Sequence, residues 1–246
     1  MEVLPVLPNH LCLLVELMDM VEHIHTNTLK VPMYTPTDSK LITVMQWLSP
    51  AFPIGGFAYS HGLEWAINKG YVSNREELQK WVSDLLEYGS LKNDAILIKL
   101  VLKGSDPKEI NEIAIALCPA NERLSETQLQ GGAFCKIMRE VWSLEIDDLA
   151  LPIALALAAK NENIDQNLVV PAYLHSFCSN LISVAMRLIP IGQTDGQKTL
   201  RELSPLISDS VIAVAKSDKD DLGSACFLSD VSAMQHEYLQ PRVFKT

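Results

Sequence analysis

From Lys40 to the C-terminus, apolar residues recur at intervals of three and four almost without a break, and that period constrains the fold more than any single motif. Alternating runs of strand length are scarce, and no hairpin dipeptide joins two of them. The spacing predicts an all-α protein: one domain over residues 40–246, a single helical bundle of roughly ten helices with no fixed-period repeat. Helix-start signals punctuate the pattern. Ser73-x-x-Glu76 reads as a capping box, and Asp106-Pro107 as an N-cap followed by a proline at the first helical position. Asp147, Asp165, Ser204-Pro205 and Ser229-Asp230 are further candidate starts by the same logic.

The longest uncharged run, Gln166 to Met186, has the length of a membrane span, but His175, Ser176, Asn180 and Ser183 interrupt it. It reads as an amphipathic helix, with Val170, Leu174, Phe177, Leu181, Val184 and Leu188 along one face. Ser176, Asn180, Ser183 and Arg187 form a polar stripe on another face. Residues 1–39 differ in kind. Pro5, Pro8, Pro32 and Pro36 interrupt them and threonines crowd the second half, which predicts a loosely held arm whose middle, Leu11 to Val21, is apolar enough for a short helix.

Composition narrows the function. Of 246 residues 48% are hydrophobic, so a substantial core is available without a disulfide or metal staple. Lys+Arg 20 against Asp+Glu 30 leaves a net charge of −10, which repels nucleic-acid phosphates and anionic membrane surfaces. Five scattered cysteines with no CxxC pair read as buried thiols, and no basic stretch precedes the first apolar run; both point to the cytoplasm.

The segment Ser49-Pro-Ala-Phe-Pro-Ile-Gly-Gly-Phe57 stands out because two prolines and two glycines within seven residues fix a loop no helix can continue through. With neither a preceding strand nor a following Gly-Lys-Ser/Thr it is not a P-loop, and a rigid connector between helices is the simpler reading. Gln193-Thr-Asp-Gly-Gln197 reads as a turn. His61 and His175 fall on apolar helices, where a satisfied core histidine is the default. His236-Glu237 reads as a surface pair because neighbouring helical residues diverge, although an acid-base role would make the chain an all-α enzyme. His23 and His25, with His10 and Cys12 nearby, offer nitrogen and sulfur donors suited to nickel and are weak metal candidates in the arm. Nucleophile-elbow and zinc-helix signatures are absent, which favours a binding role over an enzyme.

The run Ser49 to Glu64, SPAFPIGGFAYSHGLE, resembles the signature loop of the UreF family of urease accessory proteins. Three further stretches resemble that family in the same order: Glu122 to Gly132; Ala172 through Asn180 to the RLIPIGQTDGQ run ending at Gln197; and Ser229 to Arg242, SDVSAMQHEYLQPR. The resemblance implies an all-α homodimer that binds UreD (also called UreH) and recruits and regulates the GTPase UreG, so that the assembly delivers nickel into apo-urease. It implies no catalysis and no intrinsically bound cofactor, nickel being handled by the complex. Carried over residue by residue, it places Pro53, Gly55, Phe57, Ser60, His61 and Glu64, together with Gln235, His236, Glu237 and Arg242, at a partner-binding surface, and Tyr173 and Asn180 at the dimer interface. Pro241 departs from the family's usual serine and argues against helical continuation of the tail. The arm has no family counterpart, and the alternative of a nickel-binding metallochaperone rests on it alone.

Overall fold

A computed structural model describes residues 37–246, of which Ser39–Thr246 form one compact unit. The arm histidines His10, His23 and His25 and Cys12 lie outside the described residues. Among those described there is no strand, and the chain is all-α: α1 Thr37–Trp47, α2 Leu63–Asn68, α3 Arg75–Tyr88, α4 Ser90–Leu102, α5 Pro107–Ala116, α6 Asn121–Trp142, α7 Leu151–Asn161, α8 Gln166–Leu188, α9 Gln193–Lys216 and α10 Phe227–His236. Short 3-10 turns at Gly56–Ala58 and Lys219–Asp221 complete it.

α7 is apolar nearly all round, and α4 leaves no residue in full contact with solvent, so both sit in the middle. α4 buries Leu91, Ala95, Ile96, Leu97, Ile98 and Val101, packs on α7, and is enclosed by α3, α5, α8 and α9. α8 passes a length-and-composition test for a membrane span, but its apolar face from Val169 to Ala185 is the wall of this core and packs on α4 and α9. Pro171 lies inside α8 and Pro205 inside α9, each in the middle of a continuous helix.

The caps explain where helices begin. Asp106 and Asp165 accept from Lys108 N and Asn167 N as expected. The box at α3 sits one residue later than the sequence suggests. Asn74 is the N-cap and accepts from Glu77 N at 3.0 Å, while the Glu77 carboxylate reaches back to Ser73 N and Oγ at 2.7 and 2.9 Å. Asp147, Ser204-Pro205 and Ser229-Asp230 do not open helices. α7 begins at Leu151 with Pro152 in its first turn, α9 runs through Pro205, and α10 starts at Phe227. Gln193–Gln197 is the first turn of α9 rather than a free turn, because Gly196 packs beneath Met186 and Ile182 of α8.

Candidate functional site

The loop Ser49–Gly62 is held by the polar stripe of α8. Ser176 Oγ donates to Leu48 O at 3.0 Å, Asn180 Nδ2 to Tyr59 O at 3.3 Å and Arg187 Nη1 to Phe57 O at 3.5 Å. Phe52 anchors its floor on Phe134, ring centroids 5.4 Å apart. The loop is thus a braced connector whose outer edge, Pro53 and Phe57, is exposed, with Gly55 between them at φ 70°.

The chain then turns through His61 and Gly62, both at positive φ, into α2. Only glycine fits the second position. Besides its φ of +79°, a Cβ there would stand 2.6 Å from Ala233 N of α10. This close crossing of α2 and α10 brings distant stretches of sequence together. Glu64 Oε1 accepts from Val243 N at 2.6 Å, and its Oε2 accepts from Phe244 N at 2.9 Å and meets His236 Nε2 at 3.1 Å. The other imidazole nitrogen lies 2.7 Å from Glu122 Oε2, and Arg242 donates to Oε1 of the same carboxylate. Both ring nitrogens thus face carboxylates, one from α2 and one from α6.

One turn along α6 a second knot forms. Glu126 takes donors from Arg123, from Gln130 Nε2 at 3.0 Å and from Thr246 Oγ1 at 2.9 Å. Ser60 donates to the Thr246 carbonyl from N at 2.7 Å and also from Oγ, and Lys245 N donates to Ala58 O at 2.8 Å. Burial, and then the Arg123 guanidinium, hold the His61 imidazole well below the usual histidine range. His61 is therefore neutral and Nδ1 accepts from Arg123, so its 3.1 Å approach to Glu126 is not an ion pair. Burial pushes the Glu126 carboxyl up, with Arg123 opposing. Arg187 caps the arrangement over the Phe244 ring at 5.5 Å.

Ser60, His61, Glu64, His236, Glu237 and Arg242, expected at a partner surface, thus converge on one another through α6. The tail from Glu237 to Thr246 folds back on the loop as a clasp. His236 is 0% exposed, which corrects its reading as half of a surface pair. Glu237 does diverge from it, its Oε1 accepting from Asn121 N at 3.0 Å. Gln235 is exposed, and so is Arg242, whose side chain is 42% exposed. His175, expected in the core, is exposed beside the polar stripe. Tyr173, expected at a dimer interface, is 3% exposed with its hydroxyl donating to Asp94 Oδ2 at 2.6 Å. Asp94 faces a cavity of about 50 Å³ shared with Arg123 and His61, and burial pushes its carboxyl up to about 6.

The candidate site residues form one side of this clasp; the other side is Asp94, Glu122, Arg123, Glu126, Gln130 and Thr246, of which Glu122 to Gln130 lie in the family-like run Glu122–Gly132 without having been assigned to the site. A signal existed, since Glu126, Gln130, Phe134 and Met138 fall at successive four-residue steps, placing a carboxylate and an amide on a buried stripe. Among the described residues no group of three or more His, Cys, Asp or Glu is arranged to hold a metal. Cys135 and Cys178 are buried thiols, the latter pushed up to about 12 by burial, while Cys118 and Cys226 are half-buried.

A helical chain whose polar cluster is internal, and whose last helix exposes Phe227, Val231 and Met234 to solvent, has the build of a binding protein. Comparison with known proteins agrees. The family model for UreF matches residues 72–204. The urease accessory protein UreF of Cereibacter sphaeroides (strain ATCC 17029) is 44% identical over 206 residues, covering 84% of this chain and 98% of that protein. The UreF of Ruegeria pomeroyi is 40% identical over 217 residues, 87% of this chain and 100% of its own length, and UreF 1 of Brucella abortus biovar 1 is 38% identical over 228 residues. The chain belongs to the UreF family of urease accessory proteins, a family named for an accessory role and not for a catalysed reaction.

Proposed function

We propose that this chain is the scaffold of a urease-maturation complex: a cytoplasmic homodimer that binds UreD (UreH), recruits the GTPase UreG and regulates its turnover, so that nickel passes into apo-urease. Identity of 44% along 98% of a urease accessory protein carries the reading. The geometry supports it in detail. The clasp fixes the shape of the Ser49–Gly62 loop from behind and leaves Pro53, Gly55 and Phe57 on the outer edge, where a partner meets them. Gln235 and the exposed part of Arg242 offer further polar contacts, the guanidinium having donors left over after Glu122. Tyr173 and Asn180 serve the dimer by holding α8 to Asp94 and to the loop. In this reading the chain brings no cofactor, and nickel travels with the assembled complex.

The test is urease purified from a strain lacking this chain. Low nickel content, restored together with activity by the wild-type gene, is the expected result. Full nickel loading in its absence contradicts the reading.

A further inference from the structure

A second feature lies across α10 from the clasp. Ala225 N donates to Tyr88 O at 2.8 Å and Cys226 Sγ lies 3.1 Å from Asp84 O, so the segment entering α10 is bound to the end of α3. Between them runs a groove of about 380 Å³, lined by Trp81, Leu85, Tyr88, Cys226, Phe227 and Leu228. Phe227 is 75% exposed and Tyr88 55%, aromatic area that a water-facing surface does not hold without use.

The groove has a sign as well as a shape. Asp84 lies in its wall, Glu87 precedes Tyr88 on the exposed end of α3, and Asp230 sits one turn into α10, fixed by Ser224 Oγ at 3.1 Å. The nearby cation, Lys80, is already held by Asp84, with Nζ 2.9 and 2.7 Å from its two oxygens. Burial first, and then Asp84 and Asp230 with Lys80 opposing, push the Cys226 thiol up to about 11.

From this complementarity we infer that the α3–α10 groove is a docking site for a basic segment of a partner protein, one that seats an aromatic or branched apolar side chain between Tyr88 and Phe227 and sets Lys or Arg against Glu87 and Asp230. The inference rests on the accessory-protein reading, which supplies the partners, and it assigns to them a contact separate from the clasp. A preformed apolar slot with an acidic mouth gives affinity through the anchor and orientation through the charges.

The experiment measures binding of separately purified UreD and UreG to wild type, Phe227→Ser and Glu87→Lys at low and moderate salt. Both substitutions are at exposed positions, and unchanged melting checks that they fold. The expected result is that one partner binds Phe227→Ser at least tenfold more weakly, and binds Glu87→Lys several-fold more weakly with a flatter salt dependence, while the other partner is unaffected. Wild-type affinity in both variants overturns the groove and leaves the accessory reading standing. A homodimer that dissociates in Phe227→Ser with both partners still bound also overturns it, since a second copy then occupies the slot. If the wild type binds neither partner, both readings fail.

Discussion

Glu64 shows how much of this protein depends on single side chains. Its carboxylate, nearly inaccessible, accepts from two backbone amides of the tail and faces the imidazole of His236. Replacing it removes an anion that three groups were arranged around and leaves buried donors without partners, each costing about 1–3 kcal/mol. Glu64→Leu is therefore expected to lose about 3 kcal/mol in urea unfolding and to release the tail to proteolysis; a loss below about 0.5 kcal/mol would show that the clasp holds nothing. Asp94 sets a pH dependence of opposite sense to most carboxylates. Its folded value is raised to about 6, so between pH 4 and 6 the native state binds more protons than the unfolded one, and stability falls as pH rises through that window. Asp94→Asn should gain on the wild type by about 1–2 kcal/mol between pH 4 and 7, read as the widening gap between their unfolding curves; a constant gap would contradict the assignment. The clasp was half legible in the sequence because Ser60, His61, Glu64, His236 and Arg242 stand in distinctive runs. Glu122 and Glu126 also stand in such a run, and the four-residue stripe of α6 marks Glu126 as inward-facing, but what they touch depends on how α10 and the tail pack over α6, which no spacing within α6 shows.

At the level of elements, local signals marked helix starts only where nothing in the tertiary structure opposed them. Asp106 and Asp165 cap the helices they announce, but Ser204-Pro205 lies inside α9 because Thr199, Leu203, Ile207 and Val214 bury one continuous face and that packing outweighs the donor the proline lacks. Removing the observed cap with Asn74→Ala is expected to cost about 1 kcal/mol, measured by denaturant midpoint, whereas Glu76→Ala, the residue in the anticipated box, should cost little. Gly131 is a harder constraint. A Cβ there would lie 1.9 Å from Leu149 O, so the segment leading into α7 can cross α6 only at glycine. Gly131→Ala should destabilise by roughly 3 kcal/mol or more, by far the largest effect of any single added methyl on α6. No spacing rule reveals such a crossing in advance, since it is a property of two segments and each looks unremarkable alone.

For the molecule as a whole, helical periodicity was enough for the fold class, and the four motif runs were enough for the family. What neither supplied is that residues expected to touch partners spend most of their contacts on one another. The structure makes the tail part of the framework on which the exposed loop edge rests, so a substitution in the clasp is expected to weaken assembly through the shape of the loop. His236→Ala should accordingly lose partner binding and urease activation in parallel; activation lost with binding intact would instead give His236 a chemical role. Whether the clasp organises a scaffold is read from size-exclusion chromatography with light scattering of the chain co-expressed with UreD and UreG, wild type beside Glu64→Gln. The expected result is a complex containing both partners for the wild type and its loss in a still-folded Glu64→Gln variant. A wild-type chain that elutes free of both would contradict it.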